Sequence, residues 1–145
     1  MRIVAGIPAR MGSSRFPGKP LARLLGLTMI EHVYRRTALC TALDDVFVAT
    51  CDEEIKEVVE GFGGKVIMTS SAQQRASDRI AEAAGGLDAE SVVMIQGDEP
   101  MVSPDMIDAA IAPMISDPSM QCVSLAKRSQ TEEEYYERET VKVVM

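Results

Sequence analysis

The sequence lacks several features that would place it in common functional classes. Lysine and arginine are not in excess: 15 cationic residues stand against 22 acidic ones, for a formal net charge of −7. General nucleic-acid-binding proteins usually carry a basic excess, so we expect no nucleic-acid partner. There is no apolar run of the length that a membrane span needs and no recognisable signal peptide, so we expect no membrane association.

Cysteine and histidine are also scarce. The three cysteines, Cys40, Cys51 and Cys122, form an odd number without metal-ligand spacing, and His32 is the single histidine. This pattern predicts reduced, buried thiols in a cytoplasmic protein rather than disulfides or a zinc site. Cys51 follows a predicted strand, but free cysteine is most often a buried structural residue, and we interpret Cys51 in that way.

The residues that are present predict one α/β domain. The chain has 145 residues, of which 46% are hydrophobic, which is enough for a core. Short runs rich in Val and Ile predict strands, and segments with helical spacing between them predict helices capped by Thr28, Asp52 and Ser103. The predicted strands are residues 2–7, 45–50, 65–68, 91–96 and 121–127.

Regular alternation of strand and helix predicts a mostly parallel sheet with helices on both faces, a Rossmann-like three-layer α/β/α sandwich. Ligands of such sheets bind at the carboxyl ends of the strands. Residues 132–139 predict an exposed acidic helix, and the apolar residues 141–145 predict the beginning of a further strand. We therefore expect residues 1–145 to be a single domain of a chain that is interrupted.

The loop after the first strand reads "ARMGSSRFPGKP", residues 9–20, and combines three cations with two glycines and two prolines. The phosphate motif G-x-x-x-x-G-K-[ST] is not met, because five residues separate Gly12 from Gly18 and Pro20 replaces the hydroxyl residue; G-x-G-x-x-G is also absent. Backbone N–H groups near glycines, with Arg15 and Lys19, can still hold a triphosphate.

A second informative stretch, "VVMIQGDEP", covers residues 92–100. An apolar strand ends at Gln96, and Asp98 and Glu99 follow just outside the sheet. An ordinary acidic turn is the plain interpretation. The cationic loop at a neighbouring strand end favours magnesium at Asp98 instead, because Mg²⁺ is held by one or two carboxylates together with phosphate oxygens.

Several ordered motifs together resemble one family. The segments "IPARMGSSRFPGKPL", "VFVATCDEEI", "GGKVIMT", "DRIAEA" and "VVMIQGDEPMV" are similar to the 3-deoxy-manno-octulosonate (Kdo) cytidylyltransferases, of the nucleotide-diphospho-sugar transferase fold. The resemblance implies Mg²⁺-dependent transfer of CMP from CTP to Kdo, an acidic 2-keto sugar, with release of pyrophosphate, in lipopolysaccharide biosynthesis. An acylneuraminate-type or other sugar cytidylyltransferase and a non-catalytic nucleotide-binding fragment or module are the alternatives.

The resemblance also implies roles for individual residues. Cations and a serine of the first loop would hold the phosphates, and the backbone before that loop would lie against the nucleotide. The end of the strand 91–96 would lie near the base and ribose, and Asp98 would bind Mg²⁺. Catalysis would rest on Arg10, Lys19 and Asp98. The nucleotide-binding residues would be Pro8, Ala9, Arg10, Ser13, Arg15, Lys19, Ser77, Arg79 and Gln96.

The sequence departs from the family in two respects. The family pattern H-x-S-G-T-[DE]-R corresponds to residues 73–79. Only Ser77, Asp78 and Arg79 keep the residue types of the pattern, while Arg75 and Ala76 replace its serine and glycine. These changes bear on cytosine selection. Family members are also longer, and the resemblance implies that their second half supplies another magnesium carboxylate, most sugar contacts and a homodimer interface.

Overall fold

The computed structural model describes residues 1–12, 16–138 and 140–143, and strands and helices alternate along them. The strands are β1 (Ile3–Pro8), β2 (Arg23–Leu24), β3 (Leu27–Thr28), β4 (Asp45–Thr50), β5 (Val66–Met68) and β6 (Ser91–Met94). The helices are α1 (Met29–Thr37), α2 (Glu53–Gly61), α3 (Ala76–Ala84), α4 (Pro104–Ser116) and α5 (Glu132–Tyr136), with a 3-10 turn at Lys19–Leu21.

Four strands form one parallel sheet in the order β5-β4-β1-β6. Ala5 of β1 lies opposite Val46 of β4 on one side and Val93 of β6 on the other. The strands β2 and β3 form a separate antiparallel hairpin, which the sequence pattern does not predict. The predicted mostly parallel sheet is confirmed.

The alternating side chains of β1 explain the three layers. Ala5 and Ile7 pack in a core with residues of α1, α2 and α4, whereas Val4 packs in a second core with Ile80 and Ala83 of α3. Successive side chains of a strand point to opposite faces of the sheet, so a strand with only apolar side chains must be covered by other elements on both faces. The sheet therefore separates α3 from the other helices that pack on it.

The three predicted helix caps have different outcomes. Thr28 accepts a hydrogen bond from the Glu31 amide at 3.3 Å and caps α1, as predicted. Asp52 and Ser103 stand at the N-cap positions of α2 and α4 but make no side-chain capping bond. The Asp52 carboxylate instead accepts from the Met11 amide at 2.8 Å. It therefore anchors the loop after β1 rather than its own helix.

The carboxyl-terminal part of the chain differs from the predictions. Residues 121–127 form no strand, and β6 remains the edge of the sheet with Val92 and Met94 exposed. An apolar run becomes a strand only when a neighbour pairs with its backbone, and this one has none in the described chain. Helix α5 ends at Tyr136, short of the predicted 139, and residues 141–143 carry no regular structure. Residues 139, 144 and 145 lie outside the described residues.

The thiols follow the prediction only in part. All three cysteines are free, but Cys40 alone is buried, while Cys51 is half-buried and Cys122 is exposed. Burial raises the pKa of the Cys40 thiol. The helices of the described chain are all too short or too polar to cross a membrane.

Gly97, in the loop after β6, lies against Pro8, the last residue of β1. A Cβ added at Gly97 would lie 2.6 Å from the Pro8 carbonyl oxygen. Backbone atoms cannot yield as a flexible side chain can, so we predict that Gly97→Ala lowers the free energy of unfolding by about 1–3 kcal/mol. Urea denaturation provides the measurement.

Gly86→Ala is the matched control, because a Cβ at Gly86 meets nothing within 4 Å. We expect a change within about 0.5 kcal/mol for that variant. Equal stabilities of the two variants would show that the close approach of Gly97 to Pro8 does not constrain the loop.

Candidate functional site

A cavity of about 240 Å³ opens at the carboxyl ends of β1 and β6. β1 is the strand where the sheet divides, because the chain continues to β4 on one side and β6 lies on the other. Such a division separates the loops that follow the strands and leaves a crevice. The lining residues are Pro8, Ala9, Arg10, Phe16, Lys19, Pro20, Gln73, Gln74, Arg75, Ala76, Arg79, Gln96, Gly97 and Asp98.

The first wall is the loop after β1, which is fixed by backbone hydrogen bonds. The Ala9 amide donates to the Ala49 carbonyl at 3.0 Å, and the Gly18 amide donates to the Met11 carbonyl at 3.0 Å. Gly18 has a φ of 73°, a left-handed conformation that glycine adopts without strain. The Ala9 bond and the Asp52 contact to Met11 thus fix the start of the loop at the end of β4 and at α2, and the Gly18 bond ties its far end back to Met11.

Lys19 and Asp98 join the two loops at the mouth of the cavity. The Lys19 Nζ lies 2.5 Å from Asp98 Oδ2, and the side chains are 38% and 46% exposed. Ion pairs of this exposure contribute little to folding stability, since water screens both charges. Lys19 can therefore exchange Asp98 for another anion, and Asp98 can exchange Lys19 for another cation, at little cost in folding stability.

The second wall is the segment between β5 and α3, which α3 holds in place. Arg79 is only 3% exposed, and its guanidinium donates to Thr69 Oγ1 at 2.5 Å and to the Gln73 carbonyl at 3.1 Å. Glu82 accepts from the Ser70 amide at 2.7 Å and from Gln73 Nε2 at 2.8 Å. The Ser70 bond, followed by the Gln73 bond and the Arg79 charge, lowers the pKa of Glu82.

The cavity concentrates positive charge on an acidic chain. Its described lining contains four cations, Arg10, Lys19, Arg75 and Arg79, and a single carboxylate, Asp98. Lys19 is paired with Asp98 and Arg79 bonds the second wall, whereas the side chains of Arg10 and Arg75 have no ion pair or hydrogen bond within the described part of the chain. This arrangement can bind an anion with more than one negative charge.

Most of the predicted site residues come together at this cavity. Those that line it are Pro8, Ala9, Arg10, Lys19, Arg79, Gln96 and Asp98. Ser77 does not line it and lies exposed on α3. Ser13 and Arg15 lie outside the described residues.

The predicted site residues do not include seven residues that line the cavity: Phe16, Pro20, Gln73, Gln74, Arg75, Ala76 and Gly97. Phe16 and Pro20 belong to the loop that was singled out for its charges, so the loop signal could have included them. Gln73 and Gln74 reach the cavity only because α3 packs across β1, and such a contact between distant segments leaves no local pattern in a sequence.

The residues present fit a magnesium ion that is held partly by substrate phosphates, rather than a metal centre formed by protein side chains alone. Across the described chain, no group of three or more His, Cys, Asp or Glu residues is arranged to hold a metal. Mg²⁺ commonly retains water and takes one or two carboxylates together with substrate phosphates. Asp98, beside the cationic loop, can supply one such carboxylate.

Comparison with known sequences gives consistent matches over nearly the whole chain. The sequence model of the cytidylyltransferase family matches residues 4–145. A 3-deoxy-manno-octulosonate cytidylyltransferase from Syntrophotalea carbinolica is 49% identical over 99% of this chain and 58% of its own length. The protein of the same name from Geobacter metallireducens is 46% identical over 99% of this chain and 57% of its own length. The chain thus spans somewhat more than half the length of these relatives.

Solved structures agree with these matches. A CMP:2-keto-3-deoxy-manno-octonic acid synthetase complexed with CTP superposes with a TM-score of 0.81 at 40% identity, covering 83% of this chain and 50% of that one. A cytidylyltransferase from Leptospira borgpetersenii, at 24% identity over 81% of this chain and 50% of its own, shares the fold with a TM-score of 0.72. The resemblance inferred from the motifs is therefore confirmed, and the chain belongs to the cytidylyltransferase family.

Proposed function

We propose that this chain is the nucleotide-binding part of a Mg²⁺-dependent transferase that moves CMP from CTP to Kdo and releases pyrophosphate. The observation that carries the proposal is the cation-lined cavity at the carboxyl edge of a parallel sheet, in a chain whose relatives bear that enzyme's name. The chain spans 58% of the length of the first relative, so in that relative residues outside the matched part would also contribute to the complete reaction.

The site residues divide by the part of CTP that each would contact. Arg10 and Lys19 would neutralise phosphate oxygens, together with Ser13 and Arg15 of the same loop. Pro8 and Ala9 would lie against the nucleoside, and Gln96 would bond the base or ribose. Arg79 would act mainly by fixing the second wall, because Thr69 and Gln73 already accept from its guanidinium. Ser77 is left out of the set, since it does not line the cavity.

The proposed chemistry needs positioning and charge neutralisation rather than a protein nucleophile. The sugar hydroxyl attacks the α-phosphorus in line and forms a new oxygen–phosphorus bond. The bond between the α-phosphorus and the oxygen that bridges to the β-phosphate breaks, pyrophosphate leaves with that oxygen, and the hydroxyl proton passes to solvent. Arg10 and Lys19 would stabilise the negative charge that collects on the departing pyrophosphate. When bound by Asp98 and phosphate oxygens, Mg²⁺ would add Lewis-acid polarisation of those oxygens.

The cellular location, the oligomeric state and the pathway are proposed on the same basis. A cytoplasmic location agrees with three free cysteines, and a homodimer and a role in lipopolysaccharide biosynthesis follow from the family resemblance. A non-catalytic nucleotide-binding module is the second candidate, favoured by the single carboxylate in the described cavity. Formation of a CMP-sugar from CTP, Kdo and Mg²⁺ separates the enzyme from the module.

The first test of the function is calorimetric titration of this chain with CTP in the presence of Mg²⁺, in parallel with ATP, GTP and UTP. We predict selective binding of CTP, because Gln96 would bond the base while the cations hold the phosphates. Equal binding of all four nucleotides would contradict cytidylyl specificity. Failure to bind any of them would contradict nucleotide binding by this chain.

Lys19→Ala tests the phosphate assignment. Loss of one charge-assisted contact costs about 1.5–3 kcal/mol, so we predict CTP affinity to fall about 10- to 100-fold. Lys127→Ala is the control, because Lys127 is an exposed lysine outside the cavity lining. Urea denaturation should give nearly wild-type stability for both variants. Unchanged CTP affinity in Lys19→Ala would refute the role of Lys19.

Asp98→Asn tests the metal assignment. The change removes the proposed Mg²⁺ ligand and also frees Lys19, which Asp98 now pairs at 2.5 Å. We predict that CTP binds the variant more tightly than wild type in the presence of EDTA, and that adding Mg²⁺ no longer improves binding. Glu99→Gln, the neighbouring exposed carboxylate, should keep the wild-type response to Mg²⁺. An undiminished Mg²⁺ response in Asp98→Asn would place the ion elsewhere.

A further inference from the structure

Arg75 has an unusual position at the edge of the cavity. It occupies the N-cap of α3 with an extended backbone, φ −100° and ψ 148°. Its carbonyl accepts the Arg79 amide at 3.2 Å, so its backbone serves the helix. Its side chain lines the cavity, is exposed, and has no ion pair or hydrogen bond in the described chain.

A cation is a poor residue for the amino-terminal end of a helix. N-cap positions favour Ser, Thr, Asp or Asn, whose side chains accept from the first amides. The helix dipole also places partial positive charge at this end, which repels an arginine. Helix α3 accordingly receives no side-chain cap from Arg75. Helix stability therefore does not explain an arginine at this position, whereas an anion bound nearby would.

The segment that carries Arg75 is held by charged side chains of α3. Arg79 bonds Thr69 and the Gln73 carbonyl, and Glu82 bonds the Ser70 amide and the Gln73 side chain. Hydrogen bonds with an ionised partner are stronger than neutral ones. Arg75 thus extends from a fixed wall, which reduces the entropy lost when it binds a ligand.

Arg75 and Lys19 approach the cavity from different faces of the sheet. The 3-10 turn with Lys19 contacts α1 and α2, whereas α3 packs on the other face through Ile80 and Ala83. A ligand that reaches both side chains must extend across the ends of the strands. An anion with separated charges fits this requirement better than one compact charge.

We propose that Arg75 is a specificity-determining residue that binds an anionic group of the substrate beyond the α-phosphate. Two groups share the required chemistry: a distal phosphate of the nucleotide and the carboxylate of the acidic sugar. The guanidinium fork matches both in a bidentate manner. The inference rests on the proposed nucleotide site and adds an anion contact on its second wall.

The test compares Arg75→Asn with Arg128→Asn, which removes the same charge from an exposed arginine outside the cavity lining. Each variant is titrated by calorimetry with CTP, CMP and inorganic tripolyphosphate, and Kdo is titrated onto protein saturated with CMP. Relative to the control, we expect Arg75→Asn to weaken CTP and tripolyphosphate about tenfold with CMP unchanged if the group is a distal phosphate. Weakened Kdo binding with CTP unchanged identifies the carboxylate.

Equal weakening of CTP and CMP would overturn the proposal, as would unchanged affinity for every ligand. If the wild-type chain does not bind Kdo, the phosphate titrations alone decide. Failure of the proposed function is distinguishable: nucleotides would then bind without preference for CTP or not at all, while the tripolyphosphate arm still reports on Arg75.

Thermal unfolding gives an independent check, because asparagine is a preferred N-cap. We expect the midpoint of Arg75→Asn to rise by about 2–5 °C, so weaker binding would not reflect unfolding. Arg75→Lys, which keeps the charge but loses the fork, should retain part of the affinity. A midpoint below that of Arg128→Asn would show that the Arg75 side chain holds the wall itself, and would overturn the proposal.

Discussion

The structure depends on the parallel pairing of β1 with β4 on one side and β6 on the other. Because the strands on its two sides belong to different parts of the chain, the loops that follow them separate above the sheet. The Ala9 amide bonds the Ala49 carbonyl on the β4 side, and Gly97 passes the Pro8 carbonyl on the β6 side. The buried apolar core thereby fixes both loops that carry charged side chains, and the cavity is a consequence of strand order.

The charge of the cavity opposes the charge of the whole chain. The formal net charge of −7 would repel a nucleotide at long range, but the Debye length is about 8 Å at physiological ionic strength. Carboxylates farther than that from the cavity are therefore largely screened, and the lining of four cations and one carboxylate determines the local potential. The acidic balance of the sequence disfavours binding of a polyanion across a wide surface. It does not exclude a small anion that fits between two loops.

The sequence predicts what local pattern determines and misses what distant contacts determine. Residues 45–50 form a strand with the predicted bounds because a buried apolar run between parallel neighbours has few alternatives. Residues 121–127 have a similar composition but no strand forms, because pairing requires a neighbour that composition does not reveal. The cations of the first loop were evident from their spacing. The bonds of Arg79 and Glu82 to the second wall were not, because they join a helix to a loop through side-chain geometry alone.

In the proposed function, Lys19 would bind a phosphate and Asp98 would bind Mg²⁺. In the described structure the two side chains pair with each other, because their opposite charges lie 2.5 Å apart. A buried pair would be costly to separate because each charge would be left desolvated. This pair is 38% and 46% exposed, where ion pairs contribute only about 0–1 kcal/mol. Partial exposure therefore permits both residues to exchange partners when a ligand with the complementary charges enters.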